Sequence, residues 1–137
     1  AEEVINYSEE DFVSRVKSIT GGRGVAAAFD GVGGETPGKS VKCLSTFGTL
    51  CTFGAAAGPT TLTIEDLPPS ISYTKGSIAT LITIPGMYHT AATEFFDLVL
   101  KNKLKIEIGH TYELRDGAQA HSDLENRKTT GSIILKP

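Results

Sequence analysis

The sequence predicts an α/β fold, a parallel sheet with crossover helices, on three observations. Short apolar runs alternate with segments of helical periodicity of roughly ten residues. One run, Val25-Ala26-Ala27-Ala28-Phe29, is continuously apolar, as in a strand covered on both faces. Many of the 15 glycines fall at the ends of apolar runs, where a strand-turn-helix chain changes direction.

Taken in order, Val4-Ile5-Asn6-Tyr7 reads as a short strand. Ser8 then caps a helix from about Glu9 to Ile19, whose first turn carries Glu9, Glu10 and Asp11, acids that complement the exposed N–H groups and the helix dipole. Phe12, Val13, Val16 and Ile19 fall on one face of it. Thr20-Gly21-Gly22-Arg23-Gly24 stops the helix, and the apolar strand Val25 to Phe29 follows. Gly31 to Gly34 make a turn, Lys39 to Leu44 a helix, and Thr49 to Phe53 the next strand, ending at Gly54. After a loop rich in Ala, Gly, Pro and Thr, a strand is expected from Ser77 to Ile82. Ala92, Phe95, Phe96, Val99 and Leu100 give an amphipathic helix over Ala91 to Lys101. A strand Thr111 to Leu114, a helix Gly117 to Asn126 and a final strand Ser132 to Leu135 complete the series. The rhythm lapses around Pro85, which divides the chain into 1–84 and 85–137.

The 137 residues fit one small domain, and the opening on Ala1, with no Met, suggests a piece of something longer. Thirteen Lys and Arg stand against 16 Asp and Glu, with no run of basic residues, which disfavours a nucleic-acid or membrane-surface partner. No apolar stretch is long enough for a bilayer and no leader pattern opens the chain, so a cytoplasmic setting is expected. There Cys43 and Cys51 read as buried reduced thiols. His89, His110 and His121 stand far apart without Cys or carboxylate at ligand spacing, so no metal site is expected.

Two glycine motifs bear on nucleotides. Gly22-Arg-Gly24-Val-Ala-Ala27 matches a dinucleotide turn, but it leaves a helix and opens a strand, the reverse of what the pyrophosphate needs. It reads as a helix stop. Gly33-Gly-Glu-Thr-Pro-Gly38-Lys39-Ser40 satisfies the phosphate-loop pattern, and it follows a strand and precedes a helix, as that mechanism requires. In a working loop the backbone N–H groups cradle phosphates, Lys39 reaches the outer oxygens and Ser40 holds Mg²⁺. A later strand ending in Asp is missing, because Thr49 to Phe53 runs into Gly54. No nucleophile elbow or Cys–His pairing is present, and no catalytic residue is named.

Glu2-Glu3-Val-Ile-Asn-Tyr7, Ile19-Thr-Gly-Gly-Arg-Gly-Val25, Phe29-Asp-Gly-Val-Gly-Gly-Glu35, Gly48-Thr-Leu-Cys-Thr-Phe-Gly54, Lys75-Gly-Ser77, Phe96-Asp-Leu-Val, Lys103-Leu-Lys105 and Ala120-His-Ser-Asp-Leu-Glu-Asn-Arg-Lys-Thr-Thr-Gly131 occur in one order. Together they resemble the C-terminal part of zinc-independent quinone oxidoreductases, the zeta-crystallin branch of the medium-chain dehydrogenase/reductase superfamily. The resemblance spans the whole chain. It implies the second half of a Rossmann-type parallel sheet, then a C-terminal segment belonging to the substrate-side domain. It implies NADPH as cofactor and a quinone or related conjugated carbonyl as substrate, with the Gly-rich pyrophosphate turn upstream of Ala1 and the fragment inactive alone.

By the same resemblance Tyr7 lies near the adenosine ribose phosphate, Val32 and Gly33 border the cofactor, and Phe53, Gly54, Ala55 and Ala56 line the nicotinamide side. Arg127 resembles a residue that meets the 2′-phosphate, for which a fixed guanidinium is suited; a solvated cation near a helix end is the alternative. In the resembling fold a further strand pairs beside Val25 to Phe29, and without it that apolar edge invites association, so a homo-oligomer is expected. Two other readings stay open: a nucleotide-binding module using Gly33 to Ser40, and a non-catalytic relative that folds without turnover.

Overall fold

A computed structural model describes residues 1–137, which divide into two compact units, Ala1–Thr80 and Leu81–Pro137. In the first unit, helix α1 (Phe12–Ile19), strand β1 (Val25–Asp30), helix α2 (Thr36–Lys42), strand β2 (Leu44–Thr52) and strand β3 (Ser72–Lys75) follow one another. The three strands form one sheet in the order β1-β2-β3, and both pairings are parallel. Helix α3 (Ile78–Leu81) is a single turn. The rest of the chain holds helix α4 (Met87–Leu100), strand β4 (Ile108–Glu113), helix α5 (Gly117–Glu125) and strand β5 (Ser132–Lys136), with β4 and β5 parallel in a sheet of their own.

The core of the first unit is small. Val41 from α2 and Leu44 and Leu50 from β2 are buried, and Val25, Ala28, Leu62, Leu67 and Ile71 pack around them. Leu50 is wholly inaccessible to solvent. Pro37, buried in the first turn of α2, has no N–H to lose there.

Several expectations need correction. Val4 to Tyr7 is no strand: the N–H groups of Glu9 and Glu10 both donate to the Asn6 carbonyl, turning the chain, and Val4 is exposed. The cap of α1 is Asp11, not Ser8, since the Asp11 carboxylate accepts from the Ser14 N–H at 3.0 Å and its hydroxyl at 2.6 Å. The face of α1 is only half-buried, and Ile19 is exposed. Strand β1 is not covered on both faces, for Ala26, Ala27 and Phe29 are exposed and β1 is an edge.

Helix α2 begins three residues before Lys39, and β2 begins at Leu44, with an irregularity in its pairing to β1 near Phe47 and Gly48. Ser77 to Ile82 is not a strand. The pairing segment is Ser72–Lys75, more polar and wholly exposed, recruited because its backbone meets Thr49 to Thr52 and the Tyr73 hydroxyl meets the Thr52 hydroxyl at 2.9 Å. The β-branched residues after Gly76 instead make α3. Helix α4 starts at Met87 rather than Ala91, after a left-handed Gly86. Cys43 is buried and Cys51 half-buried, and both are free thiols; burial pushes the Cys43 thiol up.

Candidate functional site

The carboxyl ends of β1 and β2 carry two loops that interlock. At the end of β1 the Asp30 side chain is buried. One of its oxygens accepts the N–H groups of Val32 and Gly33, each at 2.9 Å. The other accepts the hydroxyls of Thr36 at 2.7 Å and Ser40 at 3.2 Å. Four donors on one carboxylate satisfy a buried charge that would otherwise be costly. They tie strand end, turn and helix start together.

The outward side of the same turn holds the loop after β2. The Val32 carbonyl accepts the Ala57 N–H at 2.7 Å, and the Gly34 carbonyl accepts the Thr61 N–H and hydroxyl at 3.2 Å each. The Gly34 N–H donates to Gly58 at 3.0 Å, and the Phe53 N–H to the Asp30 carbonyl at 2.9 Å. The backbones come so close that side chains do not fit. A Cβ on Gly54 would run into the Gly31 carbonyl oxygen and lie 2.9 Å from its carbon, and one on Gly33 would meet Gly58 and Ala55. Gly33 also has φ of 76°, a region glycine enters freely.

Between these anchors the segment Gly54-Ala55-Ala56 is exposed, and none of its three N–H groups has an acceptor in the chain. Free donors on a ledge of small residues, at the carboxyl end of the middle strand, stand where open α/β sheets bind ligands.

Tyr7 and Val32 come together in one shallow groove beside β1, with Ile5, Phe12, Phe29 and Asp30 along it. The Tyr7 ring meets Phe12 edge-on with centroids 6.4 Å apart. Phe53 is exposed and its ring lies over Gly31. Arg127 belongs to the second unit. Its N–H closes the end of α5 on the Leu124 carbonyl, its φ is 56°, and its guanidinium makes no hydrogen bond or ion pair within the chain.

The phosphate-loop alternative finds no cradle. The N–H groups of Val32 and Gly33 are taken by Asp30, that of Gly34 by Gly58, that of Thr36 by Gly33 and that of Lys39 by Glu35. Ser40 is bonded to Asp30 and Lys39 points to solvent. Asp30 fills the place an anion would take. Gly22 to Ala27 likewise serves as a helix stop, with the Gly24 N–H on the Thr20 hydroxyl at 3.0 Å. The search for an acid at the end of a later strand passes over Asp30, which ends the earlier one. The usable signal was its position before Gly-Val-Gly-Gly, with hydroxyls at Thr36 and Ser40 one helical turn apart.

A parallel sheet, crossover helices and interlocked loops at the carboxyl ends of the strands define a Rossmann-type α/β protein of the dehydrogenase class. The chain belongs to the zinc-binding dehydrogenase family, whose model matches residues 1–135. It is 39% identical to the quinone oxidoreductase of Salmonella typhimurium and 37% identical to quinone oxidoreductase 1 of Escherichia coli, over 98% of this chain and 43% of each relative. The chain thus spans less than half the length of these relatives. Among solved structures it matches the Pseudomonas syringae quinone oxidoreductase with a TM-score of 0.90 at 34% identity, covering 100% of this chain and 43% of that one. It matches the Escherichia coli quinone oxidoreductase complexed with NADPH with a TM-score of 0.88 at 35% identity, covering 100% and 44%. The family description names zinc, but no group of three or more His, Cys, Asp or Glu in this chain is placed to hold it. No helix is long and apolar enough to cross a membrane.

Proposed function

We propose that this chain is the C-terminal, nucleotide-facing portion of a zinc-independent, cytoplasmic oxidoreductase that uses NADPH to reduce a quinone or related conjugated carbonyl. The observation that supports it most is the exposed Gly54-Ala55-Ala56 ledge, with its unclaimed N–H groups, beside Phe53 at the end of the central strand. These groups fit a flat, polar ring such as nicotinamide: small residues let it approach the backbone, and the donors give it hydrogen bonds. Tyr7 with Val32 and Gly33 would flank the ribose side, and the unpaired Arg127 guanidinium would take the 2′-phosphate. The cofactor, when bound, supplies the hydride. The chain's own part is to bind, orient and hold back water. Residues 1–84 are assigned to the nucleotide-binding domain and 85–137 to the return toward the substrate-side domain. The exposed β1 edge and Phe29 support self-association into a homo-oligomer.

Calorimetry on this chain, and on a form preceded by the N-terminal part of the Salmonella relative, tests the reading. The extended form is expected to bind NADPH and to oxidise it with a quinone after chelation of metals, and the chain alone, its β1 edge uncovered, to elute as more than one copy. Failure to bind NADPH, or loss of turnover on chelation, overturns the corresponding part.

A further inference from the structure

We propose that Asp30 is a positioning residue that sets the nicotinamide-side loop through a single peptide plane, a role that rests on the nucleotide reading above. The Val32–Gly33 peptide joins two bonds already described. Its N–H donates inward to Asp30 at 2.9 Å, and its carbonyl accepts the Ala57 N–H on the opposite side at 2.7 Å. In a trans amide these two groups point in opposite directions, so fixing one fixes the other. Gly33, at φ of 76°, has no Cβ to resist rotation of this plane, and the carboxylate supplies the restraint that the missing side chain does not. The Asp30 oxygen that accepts this N–H thereby decides where the Val32 carbonyl points, and that carbonyl holds Ala57, the residue directly after the Gly54-Ala55-Ala56 ledge.

The hydroxyls of Thr36 and Ser40 play a different part. They fix the second carboxylate oxygen against α2 and so keep the first oxygen turned toward the two N–H groups. Asp30 does not touch the reacting atoms in this reading. It acts through backbone geometry. Asn can stand in for Asp, because its oxygen still accepts both N–H groups while its amide donates to hydroxyls that also accept. Ala cannot.

Amide exchange in the chain followed by NMR, together with NADPH affinity in the extended form, tests this. Asp30→Ala is expected to speed exchange of the Ala57 amide by roughly tenfold or more, the scale of losing a charge-assisted hydrogen bond. Exchange at Leu50, in the core, should stay as slow as before. Asp30→Asn should return Ala57 close to the original rate. If Asp30→Ala leaves Ala57 protected, or loosens Leu50 by the same factor, the positioning role is overturned. Should Asp30→Ala fail to fold, Thr36→Val takes its place: a few-fold rise confined to Ala57 supports the role, and no rise or a shared one overturns it. An unmodified extended form that ignores NADPH sinks the nucleotide reading while the exchange result still judges the coupling. Equal NADPH affinity in the unmodified form and in a variant with a loosened Ala57 sinks the positioning role while the nucleotide reading stands.

Discussion

Residues 1–80 and 81–137 both build a parallel strand pair around a helix, yet they are held together differently. In the first, Val41, Leu44 and Leu50 are buried, and a charged side chain is sealed into the turn above them. In the second, Ala120 alone is buried, while Phe96, Leu100, Ile108 and Leu124 are exposed. Its polar bonds gather on the half-buried Asp123: Tyr112 donates to it at 3.1 Å, Gln119 to the same carboxylate at 2.9 Å, and Lys128 pairs with it at 3.4 Å. Parallel pairs are normally covered on both faces. The contrast teaches that the first unit has its own reasons to fold, and that the second leaves most of its apolar surface uncovered.

The sharpest way to break this comparison is to remove one side chain from each unit. Leu50→Ala should cost about 2–5 kcal/mol in denaturant unfolding followed by amide exchange in the first unit, because a wholly buried leucine leaves a cavity. Leu124→Ala, at a residue 53% exposed, should stay within about 0.5 kcal/mol. Equal costs would mean that the second unit has a core of its own.

A smaller effect is expected where backbones touch. Gly54→Ala places a Cβ against Gly31 and should cost about 1–3 kcal/mol as the two loops separate. NADPH affinity in the extended form should fall with it; unchanged affinity would show that the ledge tolerates the displacement. Arg127→Gly, in contrast, should stabilise the second unit by up to about 1 kcal/mol, since glycine is the usual residue at a left-handed helix end. If the 2′-phosphate reading is right, the same change weakens NADPH more than NADH in calorimetry. A stabilised variant with the original preference would leave Arg127 as a solvated cation.

The smallest effect is one of pH. The Gln119 side-chain hydrogen bond, followed by those of Tyr112 and Lys128, holds the Asp123 carboxyl below its ordinary range. Its contribution is therefore present above the usual carboxylate range and is lost as acid titrates it through its lower folded value. Tyr112 moves the other way, pushed up by burial and then by Asp123. Protection of the α5 amides, taken relative to the intrinsic exchange rate at each pH, should begin to fall as acidification enters the ordinary aspartate range and finish falling only below it. Ultraviolet titration should find Tyr112 ionising above the ordinary tyrosine range.

How much of this was legible depended on what holds each element. Helices α4 and α5 and strand β5 advertise themselves through apolar spacing, and the sequence places them well apart from the early start of α4. The Phe29 to Gly34 motif marks the turn. Strand β3 could not be read, because Ser72–Lys75 is exposed throughout and is a strand only by virtue of the backbone beside it. The false strand at Val4 to Tyr7 came from two apolar residues that the fold turns away from its sheet. Of the expected site residues, Tyr7 and Val32 line one groove, Gly54 to Ala56 form the exposed segment beside Phe53, and Arg127 lies in the second unit. Asp30 was hard to read as a partner because two of its four donors are backbone N–H groups, which carry no side-chain signature, and only the hydroxyls of Thr36 and Ser40 mark it.

Every strand pairs with the one next to it along the chain: Val25 meets Leu44, Thr49 meets Ser72, and Ile108 meets Ser132. Loops of this modest length close early and at low entropic cost. Synthesis delivers each strand just after its neighbour, so that the three-stranded sheet can assemble while the second unit is still being completed, in the order in which it is read.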